Sequence, residues 1–245
     1  MGRTWVVTGG SRGIGRAVVD RALAEGDAVG VLARSVDRES WAPAVRDRVT
    51  PMPADVADVA AVGAAFADVG PIDVLVNSAG VHRGGRIEQL GDEAWAEVLA
   101  TNLTGAFATS RAALPLLADG GAIVNIGAVV GLRGYPGDVA YGSAKAGLSG
   151  LTQTLAVELA PRGVRVNLVI PGFVDTEMTA GLTATSRATI VDGIPMGRPG
   201  RADEIADVVW AVAGASYMTG ATIPVDGGLM ASFGAPARGR RGPAR

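Results

Sequence analysis

Short apolar runs recur at regular intervals in the first half of the chain. They lie at residues 4–8, 28–33, 49–53 and 72–76, and the run at 49–53 is the weakest. Their short length and the unbroken apolar character at 72–76 are typical of strands that a parallel sheet buries on both faces. Apolar residues spaced three and four apart follow the first and third runs. This spacing predicts one helix from Ile14 to about Gly26 and another over 58–68.

The second half of the chain continues the alternation with longer helical segments. The spacing predicts helices over 91–117, with Asp92 as its cap, and over 139–162 and 202–213. Strands are predicted at 122–126, 164–170 and 221–225, whereas 173–200 is rich in Thr, Pro and Gly without a strong period. This order predicts an α/β fold, a doubly wound parallel sheet of the Rossmann type. No break in composition divides the chain, so we expect a single domain over 1–233.

Glycine-rich and polar segments directly follow most of the predicted strands. They are Gly9–Gly15, Arg34, Asp55, Asn77–Gly80, Gly127–Ala128 and Pro171–Gly172. Ligands of open α/β sheets bind beyond the carboxyl ends of the strands, where these segments meet. We therefore predict one ligand site at this edge of the sheet.

The composition narrows the functions that such a site can have. Among 245 residues there is no cysteine and one histidine, His82, which excludes thiolate metal sites and sites built from several histidines. The net charge of −2 gives no reason to expect nucleic acid as a partner. There is no signal-peptide pattern and no membrane-spanning apolar run, so we expect a cytoplasmic protein. The tail at 234–245 carries four arginines and no acid, and we expect it to be disordered.

The first ligand motif is the glycine turn between the first strand and the first helix. Gly9, Gly13 and Gly15 let the backbone turn sharply, and the helix N-terminus offers free N–H groups to a dinucleotide pyrophosphate. The second predicted strand ends at Arg34 rather than at an acidic residue. Together with Arg12, this favours the 2′-phosphate of NADP over the 2′-hydroxyl of NAD. The alternative is that both arginines are solvated surface residues.

The second motif is a tyrosine and a lysine within the predicted helix over 139–162. Lys145 is the only lysine of the chain, and it follows Tyr141 by four positions, which places both side chains on one helix face. A compact ammonium beside a phenol suits proton transfer, because a neighbouring charge can shift the phenol pKa from its ordinary value of about 10. In isolation, the pair is more typical of an exposed helix face.

Together these residues resemble the short-chain dehydrogenase/reductase family. The motifs, in the family's order over residues 4–230, are Thr8-Gly9-x-x-x-Gly13-x-Gly15, Asn77-x-Ala79-Gly80, Asn102, Tyr141-x-x-x-Lys145 and Pro171-Gly172. Within the family, stretches such as 102–105, 171–178 and 194–198 are most similar to bacterial 3-oxoacyl-(acyl-carrier-protein) reductases and polyketide ketoreductases. The resemblance implies NADPH-dependent reduction of a carbonyl to an alcohol, on a 3-oxoacyl thioester or a polyketide-type ketone.

The resemblance also implies roles for individual residues. Tyr141 would protonate the carbonyl oxygen, Lys145 would lower the pKa of Tyr141 and hold the ribose hydroxyls, and Asn102 would position a water behind Lys145. NADP(H) would be held by Gly9, Ser11, Arg12, Gly13, Ile14, Gly15, Arg34, Asp55, Val56, Asn77, Ala79, Gly80, Tyr141, Lys145, Pro171, Gly172, Val174 and Thr176. The segment 173–200 would form a lid over the substrate. The small residues of the two long helices would pack in a homotetramer or, alternatively, within the chain.

One position departs from the family pattern. The family places a serine thirteen residues before the tyrosine, where this chain has Ala128. That serine would donate a hydrogen bond to the carbonyl, and the loss of such a donor slows a reaction about 10²- to 10³-fold. Neither Ser78 nor Ser143 is expected to replace it. The chain could be an engineered serine-to-alanine variant, an enzyme whose substrate supplies its own activation, or a homologue that binds NADP without turnover.

Four other basic side chains allow two interpretations. His82 and Arg83 either touch the substrate or form a pair on a surface loop, and Arg111 and Arg133 either meet an acidic carrier protein or are solvated. Two classes of function stay open. The first is a carbonyl reductase, and the second is a nucleotide-binding module that acts through NADP or through assembly with little turnover.

Overall fold

A seven-stranded parallel sheet forms the centre of the protein. The computed structural model describes residues 2–232, and the tail predicted at 234–245 lies outside this range. The strands lie in the order β3-β2-β1-β4-β5-β6-β7. The elements are β1 Thr4–Thr8, α1 Gly13–Ala24, β2 Ala28–Ala33, α2 Pro43–Arg46, β3 Val49–Pro53, α3 Val59–Phe66, β4 Ile72–Asn77, α4 Asp92–Leu99, α5 Gly105–Ala113, β5 Leu117–Ile126, α6 Val139–Leu159, β6 Arg165–Pro171, α7 Ala184–Asp192, α8 Ala202–Gly214 and β7 Thr222–Val225. The strand order reverses between β1 and β4, which confirms the predicted doubly wound α/β fold.

Different helices cover the two faces of the sheet, which explains why the central strands are apolar at nearly every position. On one face, Val7 packs with Val18 of α1 and Ile205 of α8. On the other face, Val6 packs in the same core as Phe66 of α3. Burying a valine side chain in this way contributes about 1.5–3 kcal/mol. The unbroken apolar runs were therefore a sufficient signal for the central strands.

A π-helical segment, Ala100–Thr104, interrupts the helix predicted over 91–117 and joins α4 to α5. Asn102 lies within it, and its Nδ2 donates to the backbone carbonyls of Val98 and Val81 at 2.9 Å. A buried polar side chain that bonds the preceding turn competes with the regular helix ladder. The apolar spacing of the segment carries no sign of this change, so the prediction of one continuous helix was wrong.

The ends of the same predicted helix also differ from the structure. Gly91 occupies the cap position, and Asp92, the predicted cap, is the first helical residue. α5 ends at Ala113, because Pro115 cannot continue a helix and restricts the residue before it. β5 then begins at Leu117, five residues before the predicted strand.

The segment 173–200, which showed no strong period, contains the helix α7. None of its residues is buried, so α7 has no apolar stripe that the sequence could reveal. The Thr183 side chain caps the helix by accepting from the Ser186 N–H at 3.1 Å. Arg187 donates to Asp175 at 2.5 Å and ties the helix to the start of the segment.

Both edge strands of the sheet contain proline. Pro51 and Pro53 lie in β3, and Pro224 lies in β7. The Ala54 N–H donates inward to the carbonyl of Ala33 on β2 at 3.1 Å. Because successive N–H groups of a strand alternate in direction, the positions of Pro51 and Pro53 face outward, where proline removes no ladder bond.

Candidate active site

A cavity of about 820 Å³ lies at the carboxyl ends of strands β1 to β6. All residues of the predicted site line it except Asn77 and Asn102. The lining residues from that prediction are Gly9, Ser11, Arg12, Gly13, Ile14, Gly15, Arg34, Asp55, Val56, Ala79, Gly80, Ala128, Tyr141, Lys145, Pro171, Gly172, Val174 and Thr176. The structure therefore brings the motifs together at one edge of the sheet, as the strand order requires.

The glycine turn forms the floor of the cavity at the N-terminus of α1. Gly9 has a φ of +66°, which favours glycine, and a Cβ on Gly15 would lie 2.3 Å from the carbonyl oxygen of Gly9. Arg12 occupies the N-cap of α1, and no side chain caps the helix. The first N–H groups of α1 are thus available to an anion, which fits a pyrophosphate.

Arg12 and Arg34 are exposed and line the same cavity. Neither guanidinium group makes a hydrogen bond or an ion pair with another residue in the range 2–232, whereas that of neighbouring Arg16 pairs with Asp20 at 2.8 Å. Two guanidinium groups without an acidic partner fit an anionic ligand such as a 2′-phosphate. Asp55 is partly engaged, because its Oδ1 accepts from the Ala57 N–H at 2.9 Å.

Lys145 and Tyr141 lie one helical turn apart on α6. The Lys145 Nζ lies 5.6 Å from the centre of the Tyr141 ring and donates to the backbone carbonyl of Ile126 at 2.7 Å. Burial lowers the pKa of Lys145 to about 8. Burial also raises the pKa of Tyr141, and the Asp138 carboxylate raises it further. Burial and Asp138 account for this upward shift, and the predicted lowering of the Tyr141 pKa by Lys145 stays a prediction.

Asn102 lies behind the cavity wall and is only 1% exposed. Its Oδ1 has no hydrogen-bond partner in the part of the chain that the structure describes. A Cβ on Gly80 would lie 2.7 Å from this Oδ1 and 3.9 Å from the Lys145 Nζ. The carbonyl oxygen of Asn102 therefore faces the narrow space between Gly80 and Lys145, where it can accept a hydrogen bond.

Asn77 faces the core instead of the cavity, which corrects its predicted role in binding the cofactor. Its Nδ2 donates to Asn125 Oδ1 at 2.8 Å and to Ser110 Oγ at 3.0 Å, and its Oδ1 accepts from Thr109 Oγ1 at 2.6 Å. Asn125 continues the network by donating to Thr152 at 2.9 Å. A buried amide with all these partners ties β4 and β5 to the helices α5 and α6.

Thr8 is a structural residue of the site that the predicted list of site residues left out. Its Oγ1 accepts from the N–H groups of Ser78 and Ala79 at 3.1 and 3.0 Å. This contact fixes the loop after β4 against the end of β1. The position of Thr8 at the last residue of a strand was the available signal.

Ala128 follows β5 in an extended conformation, with a φ of −162°, and lines the cavity. Its methyl group offers no hydrogen-bond donor to a ligand. Ser143 is exposed and lines a different depression of the surface, so it cannot replace a donor here. Ser78 lines the cavity, with its backbone N–H already donated to Thr8.

His82 and Arg83 both line the cavity. The sequence alone could not distinguish this position from a pair on a surface loop. His82 Nε2 lies 2.7 Å from Asp138 Oδ1, and the imidazole packs edge-on against Tyr141 with 5.1 Å between ring centres. Arg83 forms two hydrogen bonds of 2.8 Å to Glu97. Fifty-six residues separate His82 from Asp138, so no local pattern could reveal their contact.

The described range 2–232 contains neither a membrane-spanning helix nor a cluster of metal ligands. Its helices include none that is both long and apolar enough to cross a membrane. Within the same residues, no three acidic or histidine side chains are grouped as metal ligands.

A doubly wound sheet, a glycine turn at a helix N-terminus and a buried Lys beside a partly buried Tyr at one cavity define a dinucleotide-binding oxidoreductase. The family described as Enoyl-(Acyl carrier protein) reductase matches residues 9–230. The chain belongs to the short-chain dehydrogenase/reductase family, as its motifs predicted. Members of this family use a nicotinamide cofactor.

Curated relatives and solved structures agree on this family. The 3-oxoacyl-[acyl-carrier-protein] reductase FabG of Escherichia coli (strain K12) is 39% identical over 240 residues, which cover 93% of this chain and 97% of the relative. The protein of the same name from Thermotoga maritima is 37% identical, and the match covers 94% of this chain and 98% of the relative. A short-chain dehydrogenase/reductase from Serratia marcescens superposes with a TM-score of 0.86 at 36% identity, covering 94% and 98%. A blue fluorescent protein from a metagenomic library, in complex with NADPH, has a TM-score of 0.85 at 34% identity, covering 93% and 98%.

Proposed function

We propose that this protein catalyses the NADPH-dependent reduction of a ketone to an alcohol, on a 3-oxoacyl thioester or a polyketide-type ketone. The observation that supports it most is the position of Tyr141 and Lys145 in the same cavity as the glycine turn. The substrate class is inferred from relatives named 3-oxoacyl-[acyl-carrier-protein] reductase. The preference for NADPH is inferred from Arg12 and Arg34 and from the relative solved with NADPH.

The residues of the cavity suit the parts of this cofactor. The N–H groups at the start of α1 would hold the pyrophosphate, and Arg12 and Arg34 would pair with the 2′-phosphate. Asp55 would meet the adenine, and Lys145 the nicotinamide ribose. When bound, the reduced nicotinamide would supply a hydride to the carbonyl carbon.

Tyr141 would supply the proton that completes the alcohol. As the carbonyl oxygen gains negative charge, the phenol O–H donates to it and then releases its proton to it. The phenol keeps its proton at neutral pH, because burial raises the Tyr141 pKa above its ordinary value of about 10. Lys145, with a pKa of about 8, is mostly protonated at pH 7 and would return a proton to Tyr141. Asn102 Oδ1, facing Lys145, would hold a water that resupplies it.

A second candidate function rests on Ala128. A protein without a donor at this position could bind NADP and act as a binding or assembly module with little turnover. An engineered substitution, or a substrate that activates its own carbonyl, would explain Ala128 equally well. The presence of Tyr141, Lys145 and Asn102 together favours the reductase.

Loss of NADPH absorbance with a 3-oxoacyl thioester, acetoacetyl-CoA, tests the two functions. We expect turnover by the native chain or by Ala128→Ser, and a loss of at least about 10²-fold in Tyr141→Phe, with NADPH binding retained. A large gain in Ala128→Ser would identify Ala128 as the cause of weak activity, and equal rates would show that the serine donor is not needed here. Inactivity of both chains on thioesters and on polyketide-type ketones, with NADPH bound, would exclude the reductase.

The proposed assembly is a homotetramer formed through α4, α5 and α6. Trp95, Phe107 and Val157 are exposed on these three helices by 37%, 45% and 77%. Exposed apolar groups on neighbouring helices favour a contact between copies. Light scattering of the purified protein would give the mass, and a monomer would contradict the proposal. The segment 173–200, which contains α7, is proposed as the lid over the substrate.

A further inference from the structure

Two loops are joined beside Tyr141 by backbone and side-chain contacts. The loop after β4 donates from the Gly85 N–H to the carbonyl of Gly137 at 2.8 Å, in the loop that precedes α6. His82 and Asp138 lie on these two loops and add the 2.7 Å side-chain contact. The contact holds the imidazole against the Tyr141 ring at the cavity wall.

The Asp138 side chain does not cap helix α6, although Asp138 occupies the N-cap position. It stands at the N-cap of α6, where aspartate normally accepts a hydrogen bond from the first helical turn, yet it makes no such bond. Its carboxylate, 16% exposed, contacts His82 instead. This arrangement orients the imidazole and leaves one ring nitrogen, Nδ1, outside the pair.

We propose that His82 is a catalytic residue that donates a hydrogen bond from Nδ1 to the carbonyl oxygen of the substrate, with Asp138 as its positioning residue. The proposal rests on the carbonyl reduction proposed above. It assigns to the single histidine of the chain the donor that the methyl group of Ala128 cannot supply.

The neighbouring groups favour His82 for this role. An oxygen that gains negative charge is stabilised by donors that are already oriented toward it. Tyr141 supplies one donor, but Lys145 is bonded to Ile126 and Arg83 to Glu97. His82 is the cavity-lining donor whose ring contacts Tyr141 directly.

The donor role requires a proton on Nδ1. The Asp138 carboxylate accepts a hydrogen bond from the Nε2–H group, so in an imidazolium the second N–H group is at Nδ1 and can donate to the substrate. The neighbouring charged groups are Asp138, which contacts Nε2, and Arg83, which donates to the His82 backbone carbonyl and pairs with Glu97 on α4.

A double-mutant cycle between positions 82 and 128 tests the proposal. His82→Phe keeps an aromatic edge against Tyr141 but removes the donor, and we expect it to lower kcat/KM about 10²-fold or more. His82→Gln keeps an N–H donor and should therefore retain more activity than His82→Phe. Ala128→Ser should raise kcat/KM more in the His82→Phe background than in the native chain, because the two donors replace each other.

The outcomes separate this proposal from the proposed function. If the native chain and all variants fail to reduce the thioester, both the proposed reductase function and the catalytic role of His82 are contradicted. If the native chain is active and His82→Phe equals it, or if Ala128→Ser acts equally in both backgrounds, only the role of His82 is overturned.

Nitrogen-15 NMR gives a readout without turnover, since a single imidazole contributes the ring signals. The complex with NADPH and a 3-hydroxyacyl thioester, the reaction's product, does not react. We expect the thioester to shift the Nδ1 signal beyond the effect of NADPH alone, and Asp138→Asn to change the Nε2 signal in the free protein. An Nδ1 signal that is unaffected by bound thioester would contradict the proposal.

Discussion

Replacing Lys145 by methionine is expected to make the protein more stable while abolishing its proposed activity. The Lys145 side chain is 5% exposed, and burial lowers its pKa from 10.5 to about 8. At about 1.4 kcal/mol for each tenfold change in proton affinity, burying the ammonium destabilises the folded state by about 3 kcal/mol at pH 7. Loss of the hydrogen bond to the Ile126 carbonyl offsets about 1 kcal/mol. We therefore expect Lys145→Met to raise the free energy of unfolding by about 2 kcal/mol at pH 7.

The pH dependence of this gain gives the sharper test. The unfolded chain binds the Lys145 proton more tightly than the folded chain, so the native protein is destabilised fully below a pH of about 8. As the pH rises from about 8 through 10.5, both states lose the proton and the penalty disappears. The stability difference between Lys145→Met and the native chain should therefore shrink across this interval.

Urea unfolding at fixed protein concentration, repeated from neutral to alkaline pH, measures the difference. Arg86→Met is the control, because Arg86 is exposed and lies outside the cavity, and its effect should not vary with pH. A Lys145→Met variant that is less stable than the native chain at pH 7 would refute the reasoning. A stability difference that stays constant between about pH 8 and 10.5 would refute it equally.

Two further predictions concern the cofactor end of the cavity. Arg12→Ala and Arg34→Ala should each weaken NADPH binding about tenfold and leave NADH binding unchanged, because each removes one charge-assisted contact with the 2′-phosphate. The control Arg86→Ala should change the affinity for neither cofactor. Titration calorimetry measures both affinities, and equal losses for NADPH and NADH would contradict a role of the arginines in binding the 2′-phosphate. Gly15→Ala should lower stability by about 1–3 kcal/mol and weaken NADPH binding, because its Cβ would lie 2.3 Å from the Gly9 oxygen; an unchanged melting temperature would contradict the tight packing of the turn.

The fold was predictable from the sequence because burial on both faces leaves a direct trace in residue type. The runs at 4–8 and 28–33 became β1 and β2 with unchanged bounds. Asp58, at the start of the helix predicted over 58–68, caps α3 by accepting from the N–H groups of Ala60 and Ala61. Such local signals need no knowledge of the distant chain.

The features that the sequence did not reveal depend on contacts between distant residues. The π-helical turn at Asn102 depends on the carbonyl of Val81, which comes from another loop. Asn77 shares a motif with cavity residues, yet its direction depends on Thr109, 32 residues away. The raised pKa of Tyr141 depends on the depth of its burial and on Asp138, neither of which the spacing of Tyr141 and Lys145 contains.

The prolines of the two edge strands bear on how copies of the protein can meet in solution. At the outward positions of Pro51 and Pro53 there is no N–H to pair with an incoming strand, so β3 cannot act as a template for another sheet. Pro224 leaves the short β7 with a gap in its own row of donors. Both edges of the sheet are thereby protected from strand-to-strand aggregation, including at high protein concentration. Replacing these prolines by valine would remove that protection without touching the cavity.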